Sequence, residues 1–448
     1  MLPKVQGRCF VKVLRTLACM LLSVSLLAAC GAAPQSSSAA RQELPDFPQP
    51  SPQTNAALNG QPYELVLSCD LTVYGSGTAD GFYQVAAHED GTFHATYIDY
   101  ATRQQVYLCS NANCPHNGES CTSWFPAGDQ QIWPVACEDA LFFVHNDGMD
   151  GAYLERAELD GSNRQRLCTL SAGETFEAGA AYRPGWLVMM ISGVSNQGDN
   201  AAITRRLEAI DTATGVRTTL FDAASTVEEG KMAGAFFQGV TTGGFVVKTV
   251  EAGADLNDPT DAVWLIPFDG SAAHIIVPPQ NGEKQGQPHG EGWYYLEAGP
   301  DEQQITLGCI DAATGDNRVL ITDLKETIPV DRPDDLFIRA FVDDWVILNA
   351  MTSNTVLDNG DIELLYSCYA VNTRNSEMRE LTLSNYYHAT RVPIEIYAQT
   401  GDRLLVAATV EEEQNPGGMM AALGQKLALM TKEEYLNSTA DFAWITLL

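Results

Sequence analysis

The sequence predicts an all-β fold, a seven-bladed β-propeller of four-stranded blades, on three observations. A turn pair rich in Gly and Asp recurs ahead of a large apolar residue, at Phe82, Leu141, Trp186, Phe245, Trp293, Trp345 and Leu404; six steps from 82 to 404 set a period of about 54 residues. Behind each anchor come a short apolar strand, an irregular polar loop and a second strand that ends in a tight turn. Helical periodicity is nearly absent, with Met419 to Leu429 as the one short exception. Radial stacking of such units buries both faces of every blade and leaves only short protected edges, so a repeat of this size favours a ring.

In chain order, the first element is a leader. Lys4, Arg8, Lys12 and Arg15 precede an apolar run from Leu17 to Ala29 that is too short to span a bilayer. It ends in Leu27-Ala28-Ala29-Cys30, which resembles the lipobox of bacterial lipoproteins. That resemblance implies a signal peptide over 1–29, a diacylated Cys30, and a chain exported and anchored by lipid to the outer face of the bacterial cell membrane. Residues 30–62 are dominated by Ser, Pro, Ala, Gln and Asn, with too few large apolar side chains to repay ordering, and read as a flexible stalk. The propeller occupies 63–448.

Within the propeller, the tight turns centre on Asp99, Asp160, Asp211, Asp269, Asp311 and Asn372. An Asp or Asn side chain there can bond the backbone two residues on, and a following Gly or Asn tolerates positive φ. β-branched and aromatic clusters such as Phe142-Phe143-Val144 and Trp345-Val346-Ile347-Leu348 flank them. A strand before each anchor, for example Ile132 to Val135 or Phe337 to Phe341, brings each unit to four strands. The seventh unit carries LMTKEEYLNSTADFAWITL where its turn should be. The unit LFFVHNDGMDGAYLERAELDGSNRQRL resembles the propeller repeats of the YWTD (low-density-lipoprotein-receptor) and TolB-like classes, and most closely the propeller lipoproteins of Gram-positive anaerobes, although no YWTD tetrad is present. The resemblance implies the fold and a surface address, and supplies no activity.

In a propeller, the connections between blades and those between second and third strands emerge on one face. Here those loops are long and polar, as in HNDGMDG (145–151), EAGADLNDPTD (251–261) and TSNTVLDNGDIE (352–363), whereas the opposite loops are tight. One-sided insertions mark the working side of a repeat. Asp255, Asn257, Asp258 and Asp261 offer oxygen ligands at calcium-like spacing, without the glycine and distal Glu of an EF-hand.

The segment CSNANCPHNGESC lies between the first and second units, and topology assigns it to the same face. Cys109, Cys114, His116 and Cys121 supply the four N or S ligands of a zinc site, at a spacing unlike standard fingers and with Cys114 and His116 close enough to strain joint ligation. Export favours disulfides instead, and Cys137 offers a fourth thiol for such pairing; free thiols in a reducing habitat are the third reading. Either leading option makes the loop a staple, because a closed zinc site has no position for substrate. Cys69, Cys168, Cys309 and Cys368 fall singly in or beside strands, as buried thiols do.

The composition narrows the partners. The chain has 26 basic and 57 acidic residues, and removing the leader's four basic ones leaves 22 against 57, a formal charge near −35. Such a field repels nucleic acid and anionic headgroups. No G-x-S-x-G, H-E-x-x-H, Walker or dinucleotide motif is present, and carboxylates are too plentiful for any glycosidase pair to stand out. The sequence therefore leans toward a surface module that binds an extracellular protein or glycan through its long-loop face, without catalysis. The alternative is a propeller enzyme that cleaves glycans or peptides, by hydrolysis or lysis, with carboxylates on that face.

Overall fold

The structure is a computed structural model that describes residues 56–67, 75–88, 91–111, 113–127, 131–146, 151–197, 200–226, 232–252, 260–281, 284–300, 302–356, 362–387, 390–414 and 420–448. Its strands form seven sheets in chain order, the blades of a propeller, antiparallel apart from one parallel pairing, Leu365↔Arg391, that adds a hairpin to the sixth sheet. Blade 1 is Gly75–Gly77, Gly81–Ala87, Phe93–Asp99 and Gln104–Tyr107; blade 2 is Gln131–Ala136, Leu141–Asn146, Tyr153–Ala157 and Gln165–Thr169. Blade 3 is Glu174–Arg183, Trp186–Gln197, Asn200–Asp211 and Arg217–Asp222; blade 4 is Met232–Val240, Gly244–Ala252, Thr260–Pro267 and His274–Asn281. Blade 5 is Gln285–His289, Gly292–Ala298, Ile305–Asp311 and Asn317–Ile321. Blade 6 is Leu336–Val342, Trp345–Val356, Ile362–Asn372 and Met378–Leu381, and blade 7 is Glu395–Thr400, Arg403–Gln414, Met420–Thr431 and Ala443–Trp444. Every predicted anchor stands at the start of a second strand.

The ring closes because each blade seam has its own apolar core. One cluster joins blades 1 and 2 through Phe125, Leu141 and Phe143, and others fill the seams from 2/3 through 6/7. The last unites Phe82 and Ile98 of blade 1 with Leu405 and Leu427 of blade 7. The C-terminus completes this seam, since the Thr446 N–H donates to the Arg103 carbonyl at 2.9 Å and the Gln105 N–H to the Thr446 carbonyl at 2.8 Å. Polar ties add to the apolar ones. Gln238 donates to the Gly286 carbonyl of the next blade at 3.2 Å, Gln287 to that of Ile338 at 3.2 Å, and Thr400 to that of Ala79 at 3.2 Å.

The aspartate turns form as expected. The Asp211 Oδ1 accepts from the backbone N–H groups of Ala213 and Thr214 at 2.9 and 2.8 Å, the Asp311 Oδ1 does the same for Ala313 and Thr314, and Asn372 supplies the equivalent amide oxygen. In blade 7 the turn is replaced by a short helix, Lys432–Leu436, capped reciprocally by Thr431 and Glu434.

Three expectations are corrected. Met420–Thr431 is a strand and not a helix. Leu427 and Leu429 face the 7/1 seam while Ala428 and Met430 face the 6/7 seam, so burial on both faces erases the period-2 signal. Second, the segment assigned to the end of the stalk is packed. Ala57 is fully buried, the Tyr63 hydroxyl donates to its carbonyl at 2.9 Å, and Arg183 donates to Asn59 Oδ1 and the Ala56 carbonyl, both at 2.8 Å. Glu64–Leu67 then pairs with Glu174–Arg183 as an extra innermost strand of blade 3. Third, several polar loops are paired strand for much of their length. Trp186–Gln197 stays in register with Asn200–Asp211 from Trp186↔Asp211 to Gln197↔Asn200, and the second and third strands of blades 6 and 7 are similarly long. No helix among the described residues is long and apolar enough to cross a membrane.

Candidate metal centre and central channel

The cysteine segment leaves the outer strand of blade 1 at Tyr107. It folds through two tight turns, in which the Cys114 N–H donates to the Asn111 carbonyl at 3.0 Å and the Cys121 N–H to that of Gly118 at 2.9 Å. It returns as Trp124–Phe125, which pairs with Phe93 and His94 as a fifth strand of blade 1. His116 sits in the left-handed region at φ 52°, a backbone rarely adopted by a non-glycine residue. That turn lets Cys114 and His116 aim at one point despite a single intervening residue. One ligand atom from each of Cys109, Cys114, His116 and Cys121 lies within 4.8 Å of all the others, the one such group found among the described residues.

The surroundings fix these side chains. His116 Nδ1 is 3.2 Å from Cys121 Sγ, which is also 3.0 Å from the Ser123 hydroxyl. The His94 Nε2–H donates to the His116 carbonyl at 2.5 Å, and the Tyr107 ring packs 4.4 Å from the His116 ring. Arg164 of blade 2 donates to the carbonyls of Thr122 and, at 3.3 Å, Trp124, and lies 4.0 Å over the Phe125 ring. Burial raises the Cys109 thiol, but hydrogen bonds from the Asn111 backbone and Thr122 outweigh it and hold the pKa below its ordinary value. A hydrogen bond from the His116 backbone favours the Cys114 thiolate, yet burial and the neighbouring sulfurs of Cys121 and Cys109 push its pKa up.

The segment sits at the outer seam of blades 1 and 2. Leu108 lies so close to Gly161 of the blade 2 turn that a Cβ there would come within 3.0 Å of it, and none of the four ligand residues lines the central channel. Cys137 is elsewhere, buried in the blade 2/3 core with Phe142 and Tyr182. All described cysteines are free thiols. Burial pushes Cys168 up to about 11 and Cys368 up to about 12, as inert packing thiols require. Cys30, Cys69, Asp255, Asn257 and Asp258 lie outside the described residues. Asp261 is on a strand of blade 4, where it pairs with Lys248 at 2.8 Å.

Along the axis runs a channel of about 840 Å³, lined by the innermost strands of blades 1, 4, 5, 6 and 7 and by Leu65 and Val66. Leu65 and Phe236 stay 43% and 45% exposed within it, and Arg205 stacks over Phe236 at 4.6 Å. Among the described lining residues Asp343 is the one carboxylate, and it is ion-paired with Lys432 at 2.5 Å. His289 stacks on Phe341 at 4.4 Å and donates to the Asp343 carbonyl at 2.9 Å; burial pushes its pKa down. Sequence reasoning missed this lining. The signal present was the glutamines Gln238, Gln287 and Gln399 on the innermost strands of blades 4, 5 and 7, with no fixed offset from their anchors.

The class defined by seven seams and four-stranded sheets is the seven-bladed propeller. No protein-family model matches the chain, and no curated protein does. Among solved structures it is similar to puromycin hydrolase, with TM-score 0.46 and 12% identity over 84% of this chain and 53% of that one. It is also similar to oligogalacturonate lyase in complex with manganese, with TM-score 0.41 and 14% identity over 81% and 96%, and to TolB from Acinetobacter baumannii, with TM-score 0.30 and 11% identity over 81% and 82%. The chain spans about half the length of the puromycin hydrolase it matches.

Proposed function

We propose that this chain is a binding module, held at the outer face of a bacterial membrane by lipid on Cys30, that engages an extracellular protein or glycan without turning it over. The observation that carries the reading is one-sided elongation. The second strand is 12 residues long in blades 3, 6 and 7, against 6 in blade 2. At about 3.3 Å per residue the extra length projects roughly 20 Å. The antiparallel order of each blade puts these hairpin ends on the side where blades connect, while the opposite side carries the compact turns. Paired strands present a surface with less ordering cost than irregular loops do. Among the described residues that line the channel the one carboxylate, Asp343, is ion-paired with Lys432.

The test uses the full chain carrying Cys30→Ser, presented to arrays of synthetic peptides and glycans. Retention of a ligand whose mass stays unchanged is expected. Removing 194–203 and joining Gly193 to Thr204, which face each other in the ladder, through an Asn-Gly turn should weaken retention by about tenfold, or about 1.4 kcal/mol, with an unaltered melting temperature. Cleavage of the ligand, or retention indifferent to the hairpin, counts against the proposal. For the anchor, wild-type chain should incorporate a labelled fatty acid, and Cys30→Ser should abolish labelling and release the chain from membranes.

A further inference from the structure

We infer that Cys109, Cys114, His116 and Cys121 form a closed structural zinc site that pins the outer edge of blade 1 against blade 2. Their ligand atoms lie within 4.8 Å of one another. A tetrahedron with zinc bonds of about 2.0–2.3 Å has edges of roughly 3.3–3.8 Å, so small side-chain rotations seat the ion. Three thiolates and one imidazole are the soft donor set that suits zinc. His116 binds through Nδ1, the nitrogen turned toward Cys121 Sγ at 3.2 Å.

A disulfide accounts for less of what is present. Whichever two of the three thiols paired, one thiol and a converging imidazole would be left over, and Cys137, which would complete a second bridge, is buried in another seam. The backbone is also shaped for ligation: two hydrogen-bonded turns and the left-handed His116 bring donors from 109 to 121 together.

Charge and outer contacts fit the ion as well. Three thiolates around a divalent cation leave one net negative charge, and binding releases the thiol protons to solvent. The Arg164 guanidinium, held against the carbonyls of Thr122 and Trp124 on either side of Ser123, supplies the opposite charge nearby. The Ser123 hydroxyl at Cys121 Sγ and the His94 N–H at the His116 carbonyl orient the ligands from behind. With four protein ligands the ion has no open position, so its work is to hold Trp124–Phe125 in the blade and Phe125 in the 1/2 seam. This inference is independent of which partner the hairpins bind.

Elemental analysis of the full chain carrying Cys30→Ser, produced in zinc-supplemented medium, tests it. One zinc per chain is expected, reduced at least about tenfold by Cys114→Ser and by His116→Ala and retained by Cys137→Ala. Because a ligand variant can also fail to fold, wild-type chain stripped with a chelator and refilled with cobalt gives a second measurement. A thiolate-to-cobalt charge-transfer band with the strong visible bands of a tetrahedral ion is expected. A folded wild-type chain without zinc that takes up no cobalt overturns the inference. So does a disulfide between any two of Cys109, Cys114 and Cys121, found by peptide mapping in a chain that holds no zinc.

Discussion

The Asp311 carboxylate, at the end of a strand, accepts from two backbone N–H groups of the turn it opens and from the Thr314 hydroxyl at 3.0 Å. Those bonds hold its pKa below the ordinary 3.8, as they do for Asp211. A carboxyl depressed in the folded state contributes stability that is present above its unfolded value and is lost as pH falls through the folded one. Stability should therefore decline below about pH 4. Asp311→Ala should cost about 1 kcal/mol by denaturant melts at neutral pH, whereas Asp311→Asn should keep the turn, as Asn372 does, and lose its acid sensitivity. A carbon-detected NMR titration of Asp311 that returns an ordinary carboxylate value would contradict this account. These turns were legible in the sequence because their chemistry is local. The convergence of Cys114 with His116 was not, because it depends on the sign of one backbone dihedral that spacing does not reveal.

At the scale of the element, blades 1 and 5 share a device. A Cβ on Gly75 would come within 2.2 Å of the Phe82 ring, and one on Gly286 within 2.3 Å of Trp293, which is fully buried and donates to Gln238 at 2.9 Å. The glycine on each inner strand makes room for the aromatic anchor seven residues later. Gly286→Ala should therefore overpack the 4/5 seam and cost roughly 1–3 kcal/mol in an unfolding titration, while Gly401→Ala, with open space around it, should lose only the modest cost of its left-handed turn. The anchors themselves were readable because each follows its turn directly. The strand at Met420–Thr431 and the inserted Glu64–Leu67 were not. The first is apolar on both faces because two seams bury it. The second pairs with a blade more than a hundred residues away, a choice that nothing in four residues specifies.

For the whole molecule, closure rests on an apolar seam and on few backbone bonds. Blade 7 is built entirely from the C-terminal part of the chain, and the last residues reach blade 1 through Thr446 and the Leu448 N–H, which donates to Gln105 Oε1 at 3.2 Å. Deleting Ile445–Leu448 removes these ties and bares the outer edge of blade 1, so the deletion chain should melt at a lower temperature and self-associate on a sizing column; an unchanged, monomeric melt would show that the 7/1 core alone closes the ring. The sequence pattern carried the blade count, since radial repetition writes the same signal seven times. It did not carry the contents of the channel, which come from strands far apart in the chain. The central claim, that the elongated side of the ring is the side that binds, is tested most directly by a pair of insertions. A ten-residue Gly-Ser stretch goes either between Gln197 and Asn200 at the hairpin end or into the Thr212–Gly215 turn on the opposite side, and binding to the array ligand is then measured. The account predicts a loss of about tenfold for the first and none for the second; loss confined to the turn insertion would contradict it.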